Sequence, residues 1–87
     1  MTGEYFCRPI ENLHCFYITE NNVEEFVNKY GYTDEGEYII TITKRCAYVK
    51  YEHMTWSIRL NTFMVYEYDS WISYTKEEFD KIYEIVI

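Results

Sequence analysis

Glutamine is absent from this 87-residue chain, alanine occurs once, at Ala47, and proline once, at Pro9, while tyrosine and isoleucine are used heavily. That bias is the signature of an A+T-rich coding sequence, such as that of a low-GC bacterium or its phages. Glycine is nearly as scarce. Three scattered glycines cannot build a phosphate-cradling loop, and neither Gly-x-Gly-x-x-Gly nor a P-loop occurs, which excludes nucleotide binding by those routes. Only eight basic side chains, dispersed along the chain, stand against fifteen acidic ones, for a net charge of −7. With no basic footprint to exchange for counterions, direct binding to DNA or RNA is not expected, nor is adsorption to an anionic membrane.

No apolar run approaches the roughly 18–20 residues of a membrane span. The opening Met-Thr-Gly-Glu-Tyr has neither the basic n-region nor the apolar h-region of a secretory leader. The three cysteines, Cys7, Cys15 and Cys46, are odd in number and follow no tight spacing. These features predict a reduced, cytoplasmic setting.

What the chain has in abundance is aromatic surface. Eleven tyrosines, five phenylalanines and two tryptophans can each bury roughly 150–250 Å², enough for one packed domain over residues 1–87 without staples. The periodicities predict an α+β fold, an antiparallel β-meander of about four to six strands with two amphipathic helices, near 21–30 and 76–86. Leu13 to Thr19 reads as a strand. Asn21 and Glu24 are spaced as a capping box; Val23, Phe26, Val27 and Tyr30 form one apolar stripe, and Gly31 sits where a left-handed residue would end that helix.

From Glu37 the period becomes two. Tyr38/Ile40/Ile42, Ala47/Val49/Tyr51, Trp56/Ile58/Leu60 and Phe63/Val65 alternate across short connections, which permit only antiparallel neighbours. Asp69-Ser70 precedes Trp71 to Tyr74, a last strand or an extended lead-in. Thr75 as N-cap, Glu78 at N3 and Tyr74 against Phe79 mark the second helix, with Phe79, Ile82, Tyr83 and Val86 toward the core and a Glu77/Lys81 pair on the surface.

Candidate chemistry is thin. Cys7, His14, Cys15, Cys46 and His53 are ligand types for zinc, but no Cys-x-x-Cys or His-x-x-x-His spacing exists, and His14 and Cys15 alternate across a strand. Buried small hydrophobes and ordinary polar histidines are the simpler reading. A cysteine paired with a histidine, or two of the clustered carboxylates, could serve as catalytic groups, but adjacent acids on a helix face are ordinarily solvated charge. No metal, cofactor or catalytic residue is expected, and the chain is read as non-enzymatic.

Two surfaces remain as partner-binding candidates. The sheet face opposite the helices is expected to carry Thr41, Tyr48, Lys50, Ser57, Arg59, Met64, Tyr66 and Tyr68, of which Tyr, Arg and Met are residue types enriched in interfaces. The second is acidic: Glu77, Asp80 and Glu84 on the last helix could imitate phosphates in a basic groove.

Arg8-Pro9-Ile10, Asn21-Asn22-Val23-Glu24-Glu25-Phe26, Glu78-Phe79 and Tyr83-Glu84 resemble stretches of the small phage proteins named for a Pro-Gly-Asp-Tyr-Gly motif. The motif itself is missing, Asp69-Ser70-Trp71-Ile72 being the nearest substitute. The resemblance implies a phage or prophage origin. The expected function is accordingly an inhibitor that binds a host or defence protein, for instance a nuclease. An immunity protein or antitoxin is the first alternative and a small-ligand-binding module the second, and a homodimer is compatible with any of these.

Overall fold

The computed structural model describes residues 4–8 and 13–86, so Pro9, read above as ordering an N-terminal arm, lies outside the described residues. The described residues form eight strands in two antiparallel sheets, with two short helices and a single 3-10 turn. The fold is α+β but richer in strand than its periodicities suggest.

The first strands, β1 (Glu4–Arg8) and β2 (Leu13–Ile18), form a hairpin. Helix α1 (Val23–Tyr30) follows, then a 3-10 turn at Thr33–Glu35. Three strands, β3 (Ile39–Ile42), β4 (Cys46–Lys50) and β5 (Thr55–Arg59), make the small sheet in the order β3-β4-β5. The chain then returns to the first sheet as β6 (Thr62–Glu67) and β7 (Ser70–Tyr74), runs through α2 (Lys76–Ile82) and ends the described region in β8 (Glu84–Val86). The large sheet has the order β7-β6-β2-β1-β8.

The single meander is therefore corrected to two sheets, and the break falls between β5 and β6. Asn61 adopts a left-handed φ of 59°, and its amide donates to the Ile18 carbonyl at 2.6 Å. That contact hands the chain from one sheet to the other, so the alternating set ending at Leu60 does not pair with the set that follows it.

Ends of elements differ as well. Helix α2 stops at Ile82, not at residue 86; Tyr83 is extended (φ −124°), and Ile85 and Val86 pair with Cys7 and Phe6 along the open edge of β1. Ile82, expected in the core, is 49% exposed. The N-cap of α1 is Asn22, not Asn21, and it caps nothing with its side chain. Its carboxamide instead accepts from the Thr19 amide at 2.8 Å and donates to the Tyr17 carbonyl at 2.9 Å. Gly31 has φ −77°, which any residue adopts. A Cβ there would lie 2.4 Å from the Val27 carbonyl oxygen and 2.6 Å from the Tyr51 hydroxyl, so glycine is needed for close approach and not for handedness. The expected cap of α2 does form: the Thr75 side chain accepts from the Glu78 amide while Glu78 accepts from the Thr75 amide. The surface pair beside it is Lys76 with Asp80 at 2.9 Å, in place of Glu77 with Lys81.

Because opposite residues in a ladder share a face, the registers divide the large sheet cleanly. One face sends Cys7, Cys15, Phe63 and Val65 against Phe79 and Tyr83. The other sends Phe16, Ile18 and Met64 against α1 and the inner face of the small sheet. Phe26 is the hub of that second core, with ring centroids 5.1 Å from Phe16, 5.9 Å from Trp56 and 5.0 Å from Trp71. Met64, expected on an outer face, is buried here. Among the described residues no helix is long and apolar enough to cross a membrane.

Candidate interaction surfaces

The small sheet has an inner and an outer face. Ile40↔Val49↔Trp56 and Ile42↔Ala47↔Ile58 look inward, whereas Ile39↔Lys50↔Thr55, Thr41↔Tyr48↔Ser57 and Cys46↔Arg59 look outward. No element among the described residues packs on the outward set: Ile39 is 71% and Tyr48 43% exposed, Thr41, Lys50, Thr55, Ser57 and Arg59 are exposed, and Cys46 is half-buried. The patch holds an aromatic ring, a large aliphatic chain, two cations, hydroxyls and a thiol. It contains no carboxylate, in a chain whose net charge is −7.

The other expected members of this face lie elsewhere. Tyr66 belongs to the large sheet, opposite Trp71 with ring centroids 5.3 Å apart. Tyr68 stands at the tip of the β6–β7 hairpin, 86% exposed, where it and Asp69 take φ values of 55° and 59°, the pattern of a two-residue type I′ turn. The structure thus brings Tyr48 and Arg59 onto one face and places Tyr66 and Tyr68 on the other sheet.

The acidic candidates are all exposed, Glu77 and Asp80 on α2 and Glu84 on β8. Two of them already face cations. Asp80 accepts from Lys76, and Glu84 from the Arg8 guanidinium at 2.8 Å. Pairs this exposed add little stability, but they lower the negative field that would imitate a phosphate backbone.

Sequence reasoning overlooked a third cluster because its members are far apart in the chain. Glu4 on β1 accepts from Lys29 at 2.7 Å and from the Tyr30 hydroxyl, while His14 Nδ1 lies 3.8 Å from the same carboxylate and 3.4 Å from the Tyr30 oxygen. Hydrogen bonds from Lys29 and then Tyr30 hold the Glu4 carboxyl below its ordinary range, and burial pushes Tyr30 up. A carboxylate occupied in this way is a poor base. Its chemistry is that of a clamp joining β1 to α1. The Tyr83 hydroxyl similarly donates to Glu67 at 2.5 Å and is pushed up, first by burial and then by that bond.

Two of the three cysteines are poorly placed as nucleophiles. Cys7 and Cys15 lie within the core under α2, on the face of β2 opposite His14, and burial raises both thiols, disfavouring the thiolate. His53 is exposed beside Glu52. Among the described residues no group of three or more His, Cys, Asp or Glu could hold a metal ion.

A cleft of about 630 Å³ opens between the end of α1, the 3-10 turn and β3, lined by Glu24, Asn28, Tyr32, Glu37, Tyr38 and Tyr51 among others. Two pairs of its lining groups are engaged with one another: Tyr38 donates to Asn28, and the Tyr51 hydroxyl accepts from the Tyr32 amide at 3.2 Å. The Glu24 and Glu37 carboxylates also line it. No protein-family model, no curated protein and no solved structure matches this chain.

Proposed function

We propose that this chain is a non-enzymatic protein-interaction domain that docks a partner protein on the outer face of its small sheet, acting as a small phage or mobile-element inhibitor of a host or defence protein. One observation carries the choice of surface. The large sheet is packed on both faces, the small sheet on one, and the face left open joins Ile39, Tyr48, Lys50 and Arg59 without a single carboxylate. Tyrosine and arginine are the side chains that anchor interfaces, and charged residues of one sign select the partner. The docked partner therefore presents an acidic or hydroxyl-rich surface around an apolar centre. The inhibitory role rests on small size, net acidity and a shortage of groups placed for chemistry.

A photo-crosslinking side chain at position 48, compared with one at Glu77, tests the surface. Host lysate should yield a discrete partner at 48, lost on Arg59→Glu, and nothing at 77. Capture at 77 alone would move the function to the acidic face, and a partner whose own activity is unaffected by the purified chain would remove the inhibitor reading.

A further inference from the structure

The small sheet exposes backbone as well as side chains. In an antiparallel ladder, successive residues aim their N–H and C=O groups alternately toward and away from the neighbouring strand. The Thr43 amide donates to the Cys46 carbonyl at 2.8 Å. With Thr41 opposite Tyr48 and Ile39 opposite Lys50, the odd-numbered residues of β3 bond to β4. Ile40 and Ile42 aim both backbone groups outward, where no strand lies among the described residues.

Natural edges are guarded by charge, proline or a bulge. This one is not. From Tyr38 to Thr43 the segment reads Tyr-Ile-Ile-Thr-Ile-Thr, with no charge, proline or glycine, and Ile39 and Ile42 are 71% and 41% exposed. The charges lie at its two ends, with opposite sign: Asp34, Glu35 and Glu37 before it, Lys44 and Arg45 after it. An antiparallel copy of the same strand brings each acidic end alongside the other's basic end.

We infer that β3 pairs antiparallel with β3 of a second copy of this chain, about a two-fold axis through Thr41. The register follows from the geometry. An axis normal to the sheet preserves faces, so odd residues meet odd ones and even meet even. The outward groups of Ile40 then exchange hydrogen bonds with those of the partner's Ile42, and the reverse, while Thr41 faces the partner's Thr41. Glu37 then lies toward the partner's β3–β4 turn, which carries Lys44 and Arg45. Centring the axis on Ile40 would instead pair Ile42 with the partner's Tyr38, outside β3. The two small sheets become one, their inner faces extending the row of Ile40, Val49 and Trp56 and their outer faces merging on one side. A single strand pair buries far less than the roughly 1,600 Å² of a standard interface, so the association is reversible. It stands on the β3 edge alone and does not depend on the docking reading above.

Sedimentation of the full chain from about 1 μM to about 1 mM, with amide exchange followed by NMR at both ends of the range, tests the pairing. The expected result is a concentration-dependent dimer in which the Ile40 and Ile42 amides gain roughly tenfold or more protection while Thr41, already bonded to β4, is protected throughout. Thr41→Lys sets like charges face to face on the axis and should weaken the dimer roughly tenfold without disturbing an exposed position. Glu37→Arg and Arg45→Glu should each weaken it roughly threefold, and the double swap should restore it. A monomer at every concentration, with Ile40 and Ile42 exchanging alike, overturns the inference. So does a dimer that survives Thr41→Lys with protection on β5 or β7, or a double swap that fails to restore.

Discussion

The large and small sheets are both antiparallel, yet the fold encloses one and leaves half of the other bare. In the large sheet both faces carry apolar side chains: Cys15 and Val65 point to α2, while Phe16 and Met64 point to α1. In the small sheet Ala47, Val49 and Ile58 alternate with Tyr48, Lys50 and Ser57, and only the first set is buried. Two-sided burial makes the large sheet the source of stability. One-sided burial leaves the small sheet free to be chosen for contact, because its outer side chains contribute little to holding the fold.

That contrast can be broken most severely at the hubs. Phe26→Ala and Phe79→Ala should each cost about 3–5 kcal/mol in urea unfolding, because a fully buried ring on either side of the large sheet leaves a cavity; a loss below about 1 kcal/mol at Phe79 would show that α2 does not seal its face. Gly31→Ala should cost about 1–3 kcal/mol by overpacking between Val27 and Tyr51, and a neutral result would mean the close approach relaxes. Thr75→Ala should lose about 0.5–2 kcal/mol with the cap of α2, visible as fraying of residues 76–78 in amide exchange.

A smaller effect is set by acid. The Glu4 carboxyl is held below its ordinary value of 4.5 by Lys29 and Tyr30, so the unfolded chain takes up that proton at higher pH than the folded one. The stabilisation is complete above about pH 4.5 and is lost as pH falls through the lower folded value. Glu4→Gln should flatten that part of the stability profile. Smallest of all, Tyr48→Ser and Ser57→Ala should change stability by no more than about 0.5 kcal/mol. Loss of partner capture by Tyr48→Ser at unchanged stability would sharpen the division of labour between the sheets.

Local signals were legible in the residues themselves. The apolar stripe of α1 and the Thr75–Glu78 box need only neighbours three or four positions apart, and both formed. Tyr48 and Arg59 fell on one face because period-two alternation decides faces without knowing the topology. Sheet membership could not be read, since it turns on one backbone angle at Asn61 and a hydrogen bond to Ile18, forty-odd residues upstream. For the same reason Tyr66 and Tyr68 were grouped with a sheet to which they do not belong. The end of α2 was misjudged because Ile82, Tyr83 and Val86 continue the helix stripe begun at Phe79, while Glu84 to Val86 suit a strand equally well, and the vacant edge of β1 decided the matter. The Glu4 clamp depends wholly on residues brought together by folding.

The pairing of β1 with β8 joins Phe6 to Val86, and its consequence is temporal. During synthesis the β1–β2 hairpin and the small sheet close from local contacts soon after they emerge. The large sheet must wait: β2 stays half-paired until β6 arrives, and β1 has a bare edge until β8 does. Until β6 and α2 have been added, Cys7 and Cys15 therefore stand uncovered, and a pause in elongation between β2 and α2 would prolong that exposure.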